Sequence, residues 1–285
     1  MTSIQPYPHY PHYPRLLTIA GSDSGGGAGI QADLKTFAAL GCYGMTAITA
    51  ITAQNTVGVR AIHGIPADML KAQIQAVIED IGVDAVKIGM LHSPEIVHVV
   101  AWAIDHYKLE RVVLDPVMVA TSGDTLVGQD TVSVLVRELF PRATVVTPNL
   151  DEAALLLKRN ISRLDELEAA AQDLLALGAN AALLKGGHLA GSEVVDVLAQ
   201  PGQPHTRLQS ARIASRNVHG TGCTLSSAIA AHLALGHPLD AAVKLARTYI
   251  LQAIAAGAAV QTGRGHGPLN HGHAPVAMRI LTTAS

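Results

Sequence analysis

Short apolar runs that alternate with helical patterns are the feature that most constrains this fold. From residue 15 onward, strand-like runs recur at residues 16–20, 45–53, 85–88, 112–114, 144–146 and 182–184. Helical patterns lie between them, including the apolar stripe of Leu70, Ile74, Val77, Ile78 and Ile81. Repeated strand–helix units require right-handed crossovers and give a mostly parallel sheet with helices on both faces. We therefore predict a three-layer α/β fold.

The rest of the chain completes this architecture. Residues 194–214 alternate in short segments broken by Pro and Gly, which predicts an antiparallel hairpin or meander. Alanine-rich helices are predicted near residues 221–235 and 239–256. No linker or composition shift divides the chain after Pro14, so we expect a single domain over residues 15–285. The repeated Tyr-Pro units of residues 1–14 predict a disordered N-terminal tail.

The composition limits the possible partners. A formal net charge of −2 provides no basic surface for nucleic acid or an anionic membrane. No apolar run reaches the roughly 18 residues of a membrane span, and residues 1–14 lack the apolar core of a signal peptide. The two cysteines, Cys42 and Cys223, allow at most one bridge, so we expect a reduced, cytoplasmic protein.

Polar and glycine residues directly follow the predicted strands. The carboxyl ends of parallel strands share one edge of a sheet, and ligands bind there. We expect the residues that follow the strands to gather at this edge, opposite residues 220–223. They are Asp23, Met90, Asp115, Asn149, Glu152, Lys185 and Gly186.

Gly220, Thr221, Gly222 and Cys223, here called the GTGC turn, precede one of the alanine-rich helices. Glycines allow a tight turn whose N–H groups converge, and a helix start adds unpaired N–H groups and a positive dipole end. Such a turn is an anion cradle, and its cysteine is expected to have a lowered pKa. The alternative reading is a helix cap with a buried structural thiol.

Residues 21–29, here called the glycine-rich loop, lack a Walker-type ending and the dinucleotide fingerprint in its proper register. The loop is therefore either a ligand-binding segment or a flexible connection. Asp33, on the helix that follows, is placed to point back at a ligand held there. The alternative for Asp33 is a solvated or capping side chain.

Asp115 and Glu152 are the candidate cation ligands. A few hard oxygen ligands at strand ends suit Mg²⁺, which keeps waters and bridges phosphates. Asn149 lies one helical turn from Glu152, and Lys185 beside Gly186 offers a positive charge and open backbone for phosphate. Each of these residues alone is otherwise a cap or a surface charge.

Placed opposite these residues, the GTGC turn suits a transferring phosphoryl group. That reaction needs in-line positioning, charge neutralisation by N–H groups and Mg²⁺, and a base near the acceptor hydroxyl. A Cys223 thiolate at a helix N-terminus is the candidate base.

Several segments, in this order, match one enzyme family. They are residues 18–36 (TIAGSDSGGGAGIQADLKT), 52–56 (TAQNT), 87–91 (KIGML), 114–118 (LDPVM), 147–152 (TPNLDE), 185–188 (KGGH), 219–226 (HGTGCTLS) and 263–268 (GRGHGP) with His271. Together they resemble the hydroxymethylpyrimidine/phosphomethylpyrimidine kinases of thiamine biosynthesis. The resemblance covers nearly all of the chain after residue 14.

The resemblance implies a ribokinase-like fold, ATP with Mg²⁺, and a homodimer. It also implies two successive transfers, first onto the hydroxymethyl group of 4-amino-5-hydroxymethyl-2-methylpyrimidine and then onto the resulting monophosphate. Cys223 would take the place of the catalytic Asp of the wider superfamily. The residues implied for the pyrimidine pocket are Gly21, Asp33, Gln54, Met90 and Val117. Those implied for the nucleotide and its metal are Asn149, Lys185, Gly186, Asp115 and Glu152.

Two other functions stay open on the sequence. Related kinases that share the cysteine turn accept hydroxymethylpyridines, so pyridoxal kinase activity is one alternative. A non-catalytic pyrimidine sensor is the other. A sensor would be expected to lose Cys223, Glu152 or a turn glycine, and the sequence keeps all of them.

Overall fold

The central sheet follows the predicted alternation of strands and helices. The structure, a computed structural model, describes residues 11–118 and 127–282, and within them nine strands form one sheet. The strands are β1 (Arg15–Asp23), β2 (Tyr43–Asn55), β3 (Gly58–Gly64), β4 (Ala85–Ile88), β5 (Val112–Leu114), β6 (Val145–Val146), β7 (Ala182–Leu184), β8 (Glu193–Ala199) and β9 (Thr206–Ala211). Their spatial order is β3-β2-β1-β4-β5-β6-β7-β8-β9. From β2 to β7 in this order the pairings are parallel, and β3, β8 and β9 are added by antiparallel pairings.

Helices cover both faces of the sheet, which confirms the three-layer α/β prediction. They are α1 (Gly29–Ala39), α2 (Ala67–Asp80), α3 (Pro94–Tyr107), α4 (Gln129–Leu139), α5 (Leu150–Leu157), α6 (Leu167–Ala176), α7 (Thr221–Ala234) and α8 (Leu239–Gly257). On one face, α1, α7 and α8 pack against Leu16 and Val113. On the other face, the five helices from α2 through α6 pack against Leu17 and Leu114. Successive strand residues point to opposite faces, so strands buried on both sides appear as continuous apolar runs.

The predicted antiparallel hairpin is confirmed as β8 and β9. One strand and one α-helix were not predicted from the sequence. The first missed element, β3, pairs with β2 and places Ala61 opposite Ala53. Its side chains are mostly exposed and include Arg60 and His63, so it has no apolar period to detect. The second is α4, whose buried residues include Leu135 and Leu139.

The disordered tail predicted over residues 1–14 stays a prediction. Residues 1–10 lie outside the described part, but residues 11–14 contact the folded body. His12 pairs with Leu281, and the carbonyl of Pro14 accepts a 2.8 Å hydrogen bond from the N–H of Tyr43. The expectation of a single domain over residues 15–285 stays a prediction. In residues 11–118 and 127–282, no helix is long and apolar enough to cross a membrane.

The strand order reverses at β1, which pairs with β2 on one side and β4 on the other. In open parallel sheets this reversal leaves a crevice beyond the carboxyl ends of the strands. Asp23 ends β1, and Met90 and Asp115 follow β4 and β5, so all three residues reach that region. The topology therefore gathers polar residues from distant parts of the sequence.

Candidate active site

A cavity of about 580 Å³ lies beyond the carboxyl ends of the parallel strands. It is lined by the glycine-rich loop, by residues that follow the strands, and by the GTGC turn. The predicted site residues in its wall are Gly21, Gln54, Met90, Asp115, Val117, Asn149, Glu152, Lys185, Gly220, Thr221, Gly222 and Cys223. Asp33 and Gly186 are not among the lining residues.

The glycine-rich loop folds around a side chain of its own. The Asp23 carboxylate accepts hydrogen bonds from the N–H groups of Gly25, Gly27 and Ala28 at 2.8, 3.1 and 2.9 Å. It also lies 2.8 Å from Nε2 of His219. Burial alone would raise the pKa of Asp23, but the bonds from His219, Ala28 and Gly25 outweigh it and hold that pKa below its usual value. These loop amides are therefore already satisfied, and residues of the loop form part of the cavity wall.

The GTGC turn starts α7 without a side-chain cap. Its N-cap, Gly220, has φ +85°, a left-handed conformation that favours glycine. The N–H groups of Thr221 and Thr224 bond to the carbonyls of Val218 and Gly220. The amides of Gly222 and Cys223 belong to the first helical turn, which has no intrahelical acceptor for them. They lie at the positive end of the helix dipole, where an anion is stabilised.

The pKa of the Cys223 thiol differs from the sequence-based expectation. Burial raises the pKa of the thiol to about 11, and the negative charges of Asp33 and Asp115 add to that effect. The positive charge of Lys87 and the N–H of Gly29 favour the thiolate but do not offset burial. The prediction of a lowered pKa is wrong for the protein alone, because burial outweighs the helix dipole and the nearby lysine.

Asp33 lies beneath the cavity and is fully buried. Its Oδ2 lies 3.0 Å from Nζ of Lys87 and accepts a hydrogen bond from Thr18, and its Oδ1 accepts one from Ser227. With both oxygens engaged and no exposed surface, Asp33 does not reach the cavity in this structure, and its contact with a ligand stays a prediction. Lys87, which the sequence analysis did not single out, pairs with Asp33 and is itself part of the cavity wall.

Asp115 and Lys185 form an ion pair in the cavity wall. Lys185 Nζ donates to Asp115 Oδ1 at 2.9 Å, and Thr147 donates to the same oxygen at 3.0 Å. Burial opposes ionisation of Asp115, but Lys185 and Lys87 hold its pKa below the usual value. A Cβ added to Gly222 would lie 3.2 Å from Lys185 Nζ, so the GTGC turn packs directly against this pair. Positive charge and turn amides therefore converge on one region.

Glu152 and Asn149 form a reciprocal cap on α5. The Asn149 side chain accepts from the N–H of Glu152 at 2.9 Å, and Glu152 accepts from the N–H of Asn149 at 2.8 Å. The cap alternative considered from the sequence is therefore present. Burial raises the pKa of Glu152 to about 7; the charge of Asp115 adds to this effect, and Lys185 opposes it. Among the described residues, no three His, Cys, Asp or Glu side chains converge as a metal site.

Gly186 contributes to the site indirectly. Its N–H donates to Asp196 Oδ1 at 2.9 Å, and Asp196 in turn pairs with Arg247 at 2.9 Å. Since this amide is already engaged, the expected phosphate contact through Gly186 is not supported. Asp196 and Arg247 are both buried and both line the cavity. Neither belongs to a motif, so the sequence offered no signal for them.

The two ends of the cavity differ in chemistry. At one end Met90 approaches Gly21 so closely that a Cβ there would lie 3.3 Å from the Met90 methyl carbon. Gln54, at the end of β2, adds an amide to this end. Elsewhere the wall contains the aliphatic side chains of Val194, Ile213, Ile250, Leu251 and Ile254. The charged Arg247 lies beside them and donates to the carbonyl of Val194 at 3.1 Å.

Comparisons with known proteins show which family this chain resembles. Residues 23–270 match the family described as phosphomethylpyrimidine kinase. The chain is 53% identical over 259 residues to the hydroxymethylpyrimidine/phosphomethylpyrimidine kinase of Rhizobium meliloti, covering 90% of this chain and 96% of that protein. A crystal structure of phosphomethylpyrimidine kinase from Clostridium difficile is 44% identical with a TM-score of 0.74, covering 84% of this chain and 99% of that one. Pyridoxal kinase from Bacillus subtilis, in an ADP complex, is 38% identical with a TM-score of 0.84, covering 91% and 98%.

These similarities confirm the ribokinase-like fold and the resemblance inferred from the motifs. The match with the family spans most of the chain, and it includes residues 23–29 of the glycine-rich loop, the strand ends from β4 onward and the GTGC turn. The chain therefore belongs to the phosphomethylpyrimidine kinase family.

Proposed function

We propose that this chain transfers the γ-phosphoryl group of ATP to 4-amino-5-hydroxymethyl-2-methylpyrimidine and then to the resulting monophosphate, for thiamine biosynthesis. The observation that carries the proposal is the convergence of three chemistries in one cavity. These are the amides of the GTGC turn, the Asp115–Lys185 pair, and the polar and apolar groups around Gln54 and Met90. Membership of the family supports the same substrates.

The pyrimidine is proposed to lie at the end formed by Gly21, Gln54, Met90 and Val117. There the Gln54 amide hydrogen-bonds the amino group or a ring nitrogen, while Met90 and Val117 contact the ring. The nucleotide base is proposed to lie against the aliphatic side chains around Val194 and Ile250, with its phosphates between Lys185 and the GTGC turn. Asn149 lies beside these phosphates as the cap of α5.

Mg²⁺ fits the donor set of the cavity. Two buried carboxylates, Asp115 and Glu152, are close enough for the charge of one to raise the pKa of the other. A divalent cation relieves this repulsion, and Mg²⁺ needs only one or two carboxylates when phosphates and waters complete its shell. When bound, the ion neutralises charge on the transferring phosphoryl group. Asp115 and Glu152 are the residues proposed to hold it, directly or through water.

Cys223 is proposed to accept the proton of the acceptor hydroxyl. The thiol lies at the first turn of α7, and the charge of Lys87 favours its ionised form. The amides of Gly222 and Cys223 stabilise the charge that develops on the phosphoryl oxygens. In the second transfer the acceptor is a phosphate that is already ionised, so it needs no base.

Pyridoxal is a second candidate acceptor. It also carries a hydroxymethyl group on a six-membered heteroaromatic ring, and the pyridoxal kinase from Bacillus subtilis shares the fold with a TM-score of 0.84. The aldehyde distinguishes it from the pyrimidine, and an aldehyde is a group that a thiol such as that of Cys223 can capture. We propose pyridoxal as a side substrate and the pyrimidine as the main one.

Two further properties are proposed from the family resemblance and the cysteines. A homodimer is the expected assembly, which sedimentation equilibrium measures directly. The cytoplasm is the expected compartment, and the free thiols of Cys42 and Cys223 suit reducing conditions.

Steady-state ATP consumption tests the proposed function. The acceptors are the pyrimidine alcohol, its monophosphate and pyridoxal, each assayed with and without Mg²⁺ and compared with a reaction lacking acceptor. We expect the highest kcat/KM with the two pyrimidines, and dependence on Mg²⁺ in every case. Turnover with pyridoxal alone, or no turnover with any acceptor, would reject the assignment.

The Cys223→Ala variant tests the proposed base in the same assay. It should lower kcat/KM for the alcohol more than for the monophosphate, because only the alcohol has a proton to remove. Equal losses with both acceptors would reject the role of Cys223 as a general base.

A further inference from the structure

We propose that His219 is a positioning residue that locks the GTGC turn against the glycine-rich loop. The inference rests on the proposed phosphoryl transfer and adds a residue to it. His219 immediately precedes the turn and is almost completely buried, with 7% of its surface exposed. Its contacts, described below, join three separate segments of the chain at the point where the phosphoryl group is expected to bind.

The first contact is between side chains. Nε2 of His219 lies 2.8 Å from Oδ2 of Asp23. Because a carboxylate oxygen accepts, Nε2 carries the proton and donates. The same oxygen accepts the N–H groups of Gly27 and Ala28. One carboxylate therefore holds both the glycine-rich loop and the residue that leads into the GTGC turn.

The second contact is a close approach between the backbones of the GTGC turn and the glycine-rich loop. A Cβ added to Gly220 would overlap the carbonyl oxygen of Gly27. A Cβ added to Gly27 would in turn overlap Cδ2 of the His219 ring and lie 3.3 Å from Cβ of Pro268. The loop and the turn thus meet backbone to backbone, and the His219 ring closes the side of this junction.

The third contact joins the C-terminal segment. The N–H of His219 donates to the carbonyl of Gly267 at 3.1 Å, and His219 pairs with Pro268 as an isolated bridge. Gly267 packs so tightly on Asn217 that a Cβ there would overlap the Asn217 side chain. Residues 263–268, a motif to which the proposed mechanism assigns no role, therefore hold the entry to the GTGC turn from its other side.

These contacts fix the orientation of the GTGC turn, and catalysis depends on that orientation. The amides of Gly222 and Cys223 stabilise charge only if they point at the transferring oxygens. A misplacement of about 1 Å in such a site can lower the rate about 100-fold. The proposed role of His219 is to orient these amides. Its loss should therefore reduce kcat and leave the KM for both substrates nearly unchanged.

Four variants and one control test this proposal. His219→Ala removes the ring, whereas His219→Gln keeps an N–H donor within reach of Asp23. Gly27→Ala pushes a methyl group into the ring, and a Gly27→Ala/His219→Ala double variant removes that clash. His98→Ala, an exposed histidine on α3, is the control. Thermal unfolding is measured for each variant, so that activities are compared between folded proteins.

We expect His219→Ala to lower kcat about 10- to 100-fold with both pyrimidine acceptors, since the turn serves both transfers. The KM values should change less than about threefold. His219→Gln should recover most of the loss. Gly27→Ala should be impaired, but the double variant should be no worse than His219→Ala alone, because the clash needs the ring. The His98→Ala variant should match the wild type.

Several results would overturn the proposal. One is a folded His219→Ala variant whose kcat is unchanged, or whose loss of kcat/KM comes from a higher KM. Another is a His219→Gln variant that is as impaired as His219→Ala. A third is a double variant whose loss of kcat equals the sum of the two single losses in free energy. Turnover by the wild type tests the proposed function separately. If the wild type prefers pyridoxal, the same ratios among variants measured with pyridoxal still decide the role of His219.

Discussion

Replacing Glu152 with Gln should raise the free energy of unfolding in a pH-dependent manner and lower the activity. Burial, together with the charge of Asp115, raises the pKa of Glu152 from 4.5 to about 7. One pKa unit corresponds to about 1.4 kcal/mol, so ionising this side chain in the fold costs on the order of 3 kcal/mol. Glutamine avoids that cost and keeps an oxygen to accept the N–H of Asn149.

The raised pKa of Glu152 determines whether stability rises or falls with pH. Below about pH 4.5 the carboxyl is protonated in both the folded and the unfolded chain, so it contributes no pH dependence. Between pH 4.5 and about 7 the unfolded chain releases the proton while the fold retains it, and wild-type stability falls relative to the variant. We expect the free energy of unfolding of Glu152→Gln, relative to wild type, to rise by about 3 kcal/mol from pH 4.5 to pH 8.

Urea denaturation across this pH range, in the presence of a chelator, measures the difference directly. Glu110→Gln is the matched control, because it makes the same chemical change at an exposed position. Adding Mg²⁺ with ATP should stabilise the wild type more than Glu152→Gln, because the variant lacks a carboxylate for the ion. A difference between Glu152→Gln and wild type that stays constant from pH 4.5 to 8 would refute the reasoning.

Three other variants or modifications probe single contacts. Since burial raises the pKa of Cys223 to about 11, its alkylation by iodoacetamide in a Cys42→Ser background should accelerate about tenfold per pH unit between pH 7 and 9. A plateau below pH 8 would contradict this acidity. Gln54→Ala should weaken pyrimidine binding about tenfold and leave ATP binding unchanged in calorimetric titrations, and intact pyrimidine affinity would remove Gln54 from the site. Lys87→Met should cost about 3–5 kcal/mol in urea denaturation by leaving the buried Asp33 without its cation, and adding Asp33→Asn should recover part of that loss.

Local patterns were sufficient for most of the architecture. Buried parallel strands are apolar on both faces, so β1, β4, β5 and β7 were visible as short apolar runs. Helices such as α2 were visible from an apolar stripe at helical spacing. By contrast, β3 is mostly exposed, and its position depends on pairing with β2, so its own residues carried no comparable signal.

Motif positions also located the site, because the carboxyl ends of parallel strands must share an edge. Acidity was harder to predict than position. The pKa of Cys223 depends on how far the surrounding side chains exclude water, and the helix dipole alone gave the wrong direction. Similarly, Asp33 was expected at the ligand, but Lys87, Thr18 and Ser227 enclose it below the cavity.

By itself, then, the sequence determined the α/β class, the family and the strand-end positions of the chemical groups. These follow from side-chain periodicity and from short motifs, which are local properties. Only the tertiary structure decided which donors and carboxylates are already engaged. His219 reaches Asp23 across 196 residues, and the Lys185–Asp115 pair spans 70. Partners so far apart meet only when the sheet and its two helical layers close, and burial then sets the charge that each group carries.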